Sequence, residues 1–538
     1  MTLNCSHLFC TYLLFVTPEN AMLQVSNGNN LSRKYDKFIS MRLETPCGKW
    51  LSSLFVRRFT STSKCIFILQ RLVRCALFSA LLTLFFCFSA VSIASAGITG
   101  NVESTNGGII SGWVLDTSAS SHAVTVSIYM DGPTGVGKLQ TSFTTSVLRS
   151  DVNSGYKTSG YHGFQWGIPK SQQGAVHIWF VYASGTSTAA VIQNSPTVYP
   201  PVSAAMTGAA QPLVLYSTAA CTPDDVPDHP ARAFRTADGN VTLLASHINA
   251  RRAVGTNLNT VQHSCTVVHT SESDMTFADF RYYQWLQTPY TLDGKTIYMV
   301  THNEWYGSNI KPSCNGDELD SWVSAVTFLV STNGGASYTR PLDYLVRNPT
   351  TPWNNNMPCT PSNPTRYGDL GGSNIVYNSG YYYRFFIYEP EPNITSNKQW
   401  QCIMRSTNIS SASSWFVWTG SGWVNSKTSS CAPVPFVQNI RSVTYNTYIN
   451  MYVGIQDING NVVFNLSHDL LNWSSPTTIS TFGIDLTQLV YPSLLDPSDT
   501  TINFERSGQS PYIYYTRLNN SISRDLMRFP LKFTISGK

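Results

Sequence analysis

The chain has 538 residues, of which 12% are charged and 12% are aromatic, and its formal net charge is +5. This length predicts two to four domains and excludes a small disulfide-stapled peptide. Low charge together with abundant aromatic residues, Gly, Ser, Thr and Asn favours an extracellular all-β protein over a cytosolic helical one.

The first 96 residues have the features of a leader. Residues 71–96 place two arginines before a long apolar run that ends in Ala-Ser-Ala, which predicts a signal peptide cleaved after Ala96. A membrane anchor is the alternative, since the run is close to the length that spans a bilayer. Residues 1–70 have no convincing periodicity, so they are interpreted as a mis-assigned start or an unusually long leader.

This leader carries most of the positive charge imbalance. Residues 1–96 hold 10 of the 35 Lys and Arg but only 3 of the 30 Asp and Glu, so the net charge of the remainder is about −2. A nucleic-acid partner is therefore not expected, because no basic stripe survives. We expect a secreted or periplasmic protein without stable membrane insertion after signal cleavage.

Six of the 12 cysteines follow the predicted signal peptide, an even number that predicts disulfides in an oxidising compartment. Six thiols allow 15 connectivities, of which we favour pairing of neighbours: Cys221 with Cys265, Cys314 with Cys359, and Cys402 with Cys431. The sequence has no Cys-x-x-Cys motif, no Cys/His cluster with zinc spacing and no phosphate or dinucleotide loop. We therefore expect neither a metal nor a cofactor.

The first predicted domain covers residues 97–199. Short alternating runs separated by Gly, Ser, Asn and Pro predict a β-sandwich, and the stretches GWVLD and GYHGFQW resemble a β module appended to secreted bacterial carbohydrate-active proteins. Residues 200–211 are rich in small residues and proline, without a strand pattern. We interpret them as a linker.

A repeated unit fills residues 212–538. Five times a turn with Gly or Asn precedes an aromatic or aliphatic strand, and the turn markers are spaced by 55, 86, 66 and 62 residues. This pattern predicts a five-bladed β-propeller, with six blades as the alternative because the longest spacing has room for another. Residues 213–216 are predicted to supply the outer strand of the last blade and so to close the ring.

A related turn ends a second strand in the three middle repeats: STNGGASY from Ser331, STNISSASSW from Ser406, and SHDLLNW from Ser467. Each has Ser, one further residue, then Asp or Asn, with an aromatic residue a few positions later. A short polar side chain can accept backbone N–H bonds in such a turn while the aromatic ring packs on the sheet. We interpret these turns as parts of blade construction rather than as a binding site.

The DHP segment before the first strand, the SHDLLNW turn and the YPSLLD segment at 491–496 resemble the five-bladed glycoside hydrolases of the arabinanase and invertase type. The resemblance covers about 310 residues and implies carboxylates on successive blades that act as base or nucleophile, as a tuning group and as proton donor. Asp228 matches the first of these, shifted by one position because DHP replaces DP. The second and third roles have no clean match.

Glycoside hydrolysis needs two carboxylates, one protonated and one ionised. We predict Asp228 as base or nucleophile, Glu304 in THNEWYG as acid and Asp369 as third carboxylate. Glu389 and Glu391 are expected to be solvated. The predicted substrate-binding residues are the following: Arg232, His302, Trp305, Tyr306, Arg366, Arg441 and Tyr491.

Three alternatives stay open for a polysaccharide- or oligosaccharide-directed protein. A sialidase-like enzyme would use Arg232, Arg366 and Arg441 to grip a carboxylate, with Tyr491 as nucleophile. The same arginines suit a uronate-directed hydrolase or lyase. A lectin is the non-enzymatic alternative, although unlike segments at the starts of the inner strands favour one composite site over equivalent sites on each blade.

Overall fold

The computed structural model describes residues 97–185, 189–272, 276, 279–306, 321–348, 365–390, 399–520 and 523–538. The predicted leader, the signal peptide and the Cys314–Cys359 pair lie outside these residues. The described chain is nearly all β-structure, as predicted. Its α-helices are α1 (Ser150–Tyr156) and α2 (Tyr216–Ala219), and its 3-10 turns are Asn106–Gly108, Lys170–Gln172, Ala412–Ser414 and Leu486–Gln488. Nowhere in the described ranges is there a helix with the length and apolar character to span a membrane.

The N-terminal module consists of two antiparallel sheets. One has the order β1-β2-β5, and the other has the order β4-β3-β6-β7 with β8 also paired to β6. Residues of both sheets, among them Ile110, Val126, Phe164 and Trp179, form its hydrophobic core. The strands are β1 (Ile98–Ser104), β2 (Ile109–Asp116), β3 (Thr125–Met130), β4 (Lys138–Thr144), β5 (Gly163–Gly167), β6 (His177–Ser184), β7 (Ala190–Val191) and β8 (Thr197–Tyr199).

The segment after the module is not strand-free. Strands β9 (Val202–Met206) and β10 (Gln211–Val214) both pair antiparallel with the last strand of the chain, β34 (Arg524–Ile535). The expectation of a linker without strands is therefore wrong, because Val202, Ala204 and Met206 of β9 are buried and the residues between them are exposed, which is the alternation of a strand at a sheet edge. The domain boundaries themselves stay a prediction.

The remaining strands form antiparallel meanders of blade type. Blade 1 contains β11 (Arg232–Arg235), β12 (Val241–Leu244), β14 (Ala253–Gly255) and β15 (Gln262–His263), flanked by the pair β13 (Asn249–Ala250) and β16 (His269–Thr270). Blade 2 contains β17 (Gln284–Thr291), β18 (Ile297–Tyr306), β19 (Ser321–Ser331) and β20 (Leu345–Arg347). Blade 3 contains β21 (Thr365–Leu370), β22 (Val376–Asn378), β23 (Tyr381–Glu389), β24 (Trp400–Ser406), β25 (Trp415–Trp418) and β26 (Trp423–Asn425).

Blade 4 contains β27 (Ile440–Asn446), β28 (Met451–Ile458), β29 (Asn461–Ser467) and β30 (Thr477–Thr478). Blade 5 contains β31 (Leu489–Leu495), β33 (Tyr512–Leu518), β34 and β10, while β32 (Arg506–Ser507) pairs with β27. The outer strand of blade 5 thus comes from near residue 213, as predicted. We number the meanders of the described residues as blades 1 to 5, and the number of blades stays a prediction, since 307–320 and 349–364 lie outside those residues.

The repeated turns have the predicted chemistry. In the blade 4 turn, Ser467 Oγ accepts from the backbone N–H of Leu470 at 2.9 Å, and Asp469 Oδ1 accepts from that of Asn472 at 2.7 Å. The Trp473 side chain is fully buried, and its Nε1 donates to the Leu470 carbonyl at 2.8 Å. These are turns that lock the ends of strands, as the sequence indicated.

Two of the three favoured disulfides are present in the described residues, Cys221–Cys265 and Cys402–Cys431. The first joins the segment before blade 1 to the end of that blade. The second lies in blade 3, where both cysteines belong to the buried core shared with blade 2.

Candidate active site

The side chains of His302, Glu304 and Tyr306 alternate along β18 and therefore share one face of the strand. Glu304 Oε1 lies 2.7 Å from His302 Nε2, and the Tyr306 hydroxyl donates to Oε2 at 2.5 Å. The Glu304 side chain is 13% exposed. The carboxyl group is thus held by two neighbours of its own strand while part of it still reaches solvent.

The proton positions on His302 follow from its second contact. Ser324 Oγ lies 2.6 Å from the backbone carbonyl of Asp369, which can only accept, so the hydroxyl donates there. The same oxygen lies 3.0 Å from His302 Nδ1 and accepts the Nδ1 proton. One proton then lies between His302 Nε2 and Glu304, either as imidazolium with carboxylate or as neutral imidazole with carboxylic acid.

Asp228 precedes β11 and meets side chains from three other strands. Its Oδ2 accepts from Trp285 Nε1 at 3.0 Å and lies 3.5 Å from His247 Nε2. Its Oδ1 forms an ion pair with Arg524 and lies 3.5 Å from the Tyr491 hydroxyl. The Asp228 side chain is 12% exposed.

Asp228 and Glu304 line the same region of the protein. Trp285 is the ladder partner of His302, and their ring centroids are 5.5 Å apart, so one indole contacts both carboxylate clusters. Burial lowers the pKa of His247, and an ionised Glu304 is close enough to act in the opposite direction on that pKa. Burial raises the Tyr491 pKa, which keeps the phenol protonated near neutral pH.

Irregular pairing at the starts of three inner strands aims side chains into this region. The register shifts between Trp285 and Thr288 in β17, around Arg441 in β27, and between Val490 and Ser493 in β31. Tyr491 has a left-handed backbone conformation with φ of 57°. Bulges re-aim side chains and are common beside active sites.

Arg441 is among the residues so placed. Its guanidinium carbon lies 5.5 Å from the Tyr491 ring centroid, and its Nε donates to Asp457 at 3.1 Å. The side chain is 19% exposed, which leaves it within reach of a ligand.

Asp369 lies elsewhere, in full burial. Its Oδ1 pairs with Arg347 Nε at 2.5 Å, and neither side chain has any exposed fraction. Burial raises the Asp369 pKa, and the Arg347 charge works against this rise. The backbone carbonyl of Asp369 accepts from the Ser324 hydroxyl, which also contacts His302. The carboxylate of Asp369 belongs to a buried ion pair.

Arg232 is also used internally. Its guanidinium donates to Ser493 Oγ and to three backbone carbonyls, including those of Gly372 and Arg441 from blades 3 and 4. The residue is 2% exposed, and burial lowers its pKa to about 9. These contacts occupy both terminal nitrogens, and the burial of the group keeps it from a substrate carboxylate, although Nε has no partner among the described residues.

Two other residues differ from expectation, and two more lie outside the described side chains. Trp305 is 3% exposed on the face of β18 opposite to Glu304, which does not present its ring to a sugar. Glu389 ends β23 and is 4% exposed, so the expectation of a solvated carboxylate is wrong. Arg366 belongs to β21, but its side chain lies outside what the structure describes, as does Glu391.

Sequence reasoning missed four members of the site: His229, His247, Trp285 and Arg524. The His229 ring is buried beside Asp228; its Nδ1 donates to the Pro230 carbonyl at 2.9 Å, and its Nε2 has no hydrogen-bond partner among the residues that the structure describes. The DHP segment contained a signal for His229, because a histidine between Asp and Pro is unlike an ordinary turn. Arg524 carried no such signal, since it approaches Asp228 from 296 residues away.

Comparison with known proteins gives distant structural similarity and no sequence match. No family model matches the chain, and no curated protein matches it. A protein of unknown function from Dyadobacter fermentans is 12% identical, with a TM-score of 0.33, and the match covers 61% of this chain and 100% of the other. At such scores the similarity is too distant to assign an activity.

Two further structures are similar at the same distant level. The description of one states that the GH130 family of mannoside phosphorylases contains glycoside hydrolases that target β-1,2 mannosidic linkages in Candida mannan. It is 11% identical, with a TM-score of 0.30, and the match covers 60% of this chain and 94% of the other. The other is the GH43 endo-arabinanase of Bacillus licheniformis, 13% identical, with a TM-score of 0.24 over 57% of this chain and 94% of the other.

Proposed function

We propose that this protein is a carbohydrate-active enzyme that hydrolyses glycosidic bonds in a polysaccharide, with Glu304 as proton donor and Asp228 as the ionised carboxylate. The observation that carries the proposal is the His302–Glu304 contact of 2.7 Å, and we infer that the proton between these two groups can be delivered to a leaving oxygen. We further propose that the protein acts outside the cytoplasm, which its two described disulfides favour.

The contacts of Glu304 suit a proton donor that must be reloaded after each turnover. Ser324 fixes the Nδ1 proton of His302, so Nε2 is the nitrogen that exchanges a proton with Glu304. The Tyr306 hydroxyl orients the other carboxyl oxygen. Once the shared proton has gone to the departing sugar oxygen, a new proton has to come from solvent or from the attacking water, and the vacated His302 Nε2 can accept it and pass it to Glu304.

The contacts of Asp228 suit an anion. Arg524 and Trp285 direct N–H donors at its two oxygens, and hydrogen bonding to the charged form of a carboxylate favours that form. An ionised carboxylate can attack the anomeric carbon or activate a water molecule for the attack. Trp285 itself offers an aromatic wall on which a sugar ring can stack.

The sialidase-like alternative fits these contacts less well. It needs three convergent arginines, whereas Arg232 is committed to carbonyl oxygens of the inner strands. It also needs Tyr491 as a nucleophile, whereas burial raises the pKa of that phenol and holds it in the protonated form. Glu304 as proton donor and Asp228 as ionised carboxylate are a simpler basis for catalysis.

A polysaccharide panel tests the proposal. The purified protein is incubated with plant and bacterial polysaccharides, and products are assayed for new reducing ends and for unsaturated sugars. We expect reducing ends without unsaturated product. Unsaturated product would indicate a polysaccharide lyase instead of a hydrolase, and binding without turnover would indicate a lectin.

Glu304→Gln then tests the acid. Loss of general acid catalysis should lower kcat/KM on the polysaccharide by about 100- to 10,000-fold. The loss should be much smaller on an aryl glycoside with a good leaving group, which needs little protonation. Glu272→Gln, at an exposed ion pair with Arg281, is the matched control and should keep full activity. Equal losses on both substrates would contradict the acid role.

A further inference from the structure

The junction between the N-terminal module and blade 4 contains a cluster of two histidines and one aspartate. His177 Nδ1 lies 2.7 Å from Asp131 Oδ2, and His468 Nε2 lies 3.0 Å from Asp131 Oδ1. One ligand-type atom from each of the three side chains can be chosen so that all lie within 4.8 Å of one another. Asp131 and His177 belong to the module, whereas His468 belongs to blade 4.

From this arrangement we infer a binding site for a divalent transition-metal ion, with Zn²⁺ as the best fit, that joins the module to the propeller. Imidazole nitrogen and carboxylate oxygen are zinc ligands, and three protein ligands leave a fourth position for water. The expectation from the sequence that no metal binds rested on cysteine spacing and did not consider this His/Asp set.

The contacts within the cluster are short enough for a shared ion. Zinc bonds of about 2.0–2.1 Å in tetrahedral geometry put neighbouring ligand atoms roughly 3.3 Å apart. The two histidine nitrogens lie 2.7 Å and 3.0 Å from different oxygens of Asp131, and one ligand atom of each residue lies within 4.8 Å of the other two, so the side chains have to adjust around the ion. The side chains are 19%, 26% and 33% exposed for His177, Asp131 and His468, so an ion can enter from solvent.

Asp131 is ready to bind a cation. Both of its carboxylate oxygens already face a histidine nitrogen, Oδ2 that of His177 and Oδ1 that of His468. The residue has a left-handed backbone conformation with φ of 61° directly after β3, and its Oδ1 also accepts from the Ile178 N–H at 3.0 Å. The carboxylate is therefore held in place by its own turn and by the start of β6.

Rigid elements support the other two ligands. His177 begins β6, and the following residues Ile178 and Phe180 are buried in a hydrophobic core that also contains Val453 and Phe464 of blade 4. His468 occupies the variable second position of the SHDLLNW turn. Ligands held on packed elements do not have to be ordered when the ion binds.

The turn sequences support a dedicated role for His468. The equivalent position is Thr332 in the blade 2 turn and Thr407 in the blade 3 turn. Among these three turns, histidine stands only in the one that meets the module. The local chemistry of the turn does not require it, since Ser467 and Asp469 make the turn's own hydrogen bonds.

A second His/Asp group in the described residues is a weaker candidate. Asp225 pairs with His263 at 2.8 Å, and Cys221 is adjacent. Cys221 is bound to Cys265 in a disulfide, so its sulfur cannot bind zinc as a thiolate. That group lacks a third ligand and serves as the internal comparison.

Calorimetric titration of the full, metal-stripped protein with ZnCl₂ tests the site. We expect one ion to bind at this cluster, and His468→Gln and Asp131→Asn should each weaken that binding at least about 10-fold. His122→Gln, at an exposed histidine of the same module, is the matched control and should bind like the wild type. Asn tolerates the left-handed conformation at position 131, which protects folding of that variant.

Thermal unfolding gives a second readout. Zn²⁺ should raise the unfolding midpoint of the wild-type protein and of His122→Gln, but not that of His468→Gln, because a ligand stabilises only the state that binds it. Two results would overturn the inference: no zinc binding by the wild type, or binding that His468→Gln and Asp131→Asn leave unchanged. Either would mean that the two histidines act only as hydrogen-bond donors to Asp131.

Discussion

Arg347 and Asp369 form an ion pair in which both side chains are fully buried. Arg347 also donates to the carbonyls of Ser426 and Ser429, so one guanidinium connects the outer strand of blade 2, the inner part of blade 3 and the segment after blade 3. The guanidinium carbon of Arg347 lies 4.9 Å from the Tyr388 ring centroid. The ion pair is structural. The backbone carbonyl of Asp369 also orients the Ser324 hydroxyl, which in turn accepts the Nδ1 proton of His302.

Removal of one partner should therefore be costly. Asp369→Asn leaves the Arg347 charge buried without a counterion, and we expect it to lower the free energy of unfolding by about 3–5 kcal/mol. The control is Glu272→Gln, which breaks an exposed pair and should cost less than about 1 kcal/mol. Urea unfolding of both variants makes the comparison. A small effect of Asp369→Asn would mean that the buried charge finds another partner.

At the scale of elements, the blade turns combine local polar contacts with a buried aromatic ring. Trp473 packs against Phe385 of blade 3 with ring centroids 5.6 Å apart, so the blade 4 turn also anchors the neighbouring blade. Gly454 of β28 lies beneath the ring, and a Cβ added there would lie 2.9 Å from the indole. The glycine is thus required by the close approach of Trp473.

Substitution of Trp473 separates the contribution of the buried ring from that of its Nε1 hydrogen bond. Trp473→Ala should lower the free energy of unfolding by about 3–5 kcal/mol, since it removes a fully buried ring. Trp473→Phe keeps much of the apolar contact but loses the Nε1 bond to Leu470, and should cost distinctly less. Chemical denaturation measures both. Equal losses would indicate that shape, and not buried area, dominates at this position.

For the whole molecule, His229 links stability to pH. The ring is fully buried, and burial lowers its pKa to about 3 from an ordinary value of 6.5. Between these values the unfolded chain binds a proton that the folded protein does not. Stability contributed by this group is thus fully present above about pH 6.5 and is lost as the pH falls towards 3.

The expected slope is measurable. His229 alone should reduce the free energy of unfolding by about 1.4 kcal/mol per pH unit in this window. His229→Gln removes the titrating group, so its pH dependence should be flatter than that of the wild type. His122→Gln, at an exposed histidine, should keep the wild-type slope. Parallel curves for wild type and His229→Gln would show that other groups govern acid unfolding.

Closure is the other property of the whole molecule. Strand β10 comes from the start of the repeated region and completes blade 5 beside β34, which also pairs with β9. A strand between the module and the first blade thus covers the edge that blade 5 would otherwise expose. The closing strand was predicted near residue 213, whereas the stretch that forms β9 was predicted to be a linker because its prolines and small residues gave no strand pattern.

The sequence by itself determined what depends on nearby residues. Alternation along THNEWY groups His302, Glu304 and Tyr306 on one face, and Ser-x-Asp turns bond to their own backbone, since both effects act over a few positions. Strand repeats indicated the β class and the closing strand. Cysteine count and order were sufficient for the two disulfides in the described residues.

Only the tertiary structure decided which distant groups meet. Asp228 acquires Arg524 and Trp285, Asp369 is buried with Arg347, and Arg232 bonds to carbonyls of other blades, because packing around the ring sets these contacts and no local spacing encodes them. The bulges that aim Tyr491 and Arg441 depend on their partner strands in the same way. Burial then separates a carboxylate that meets solvent from one that holds the fold together, and burial is a property of the packed chain.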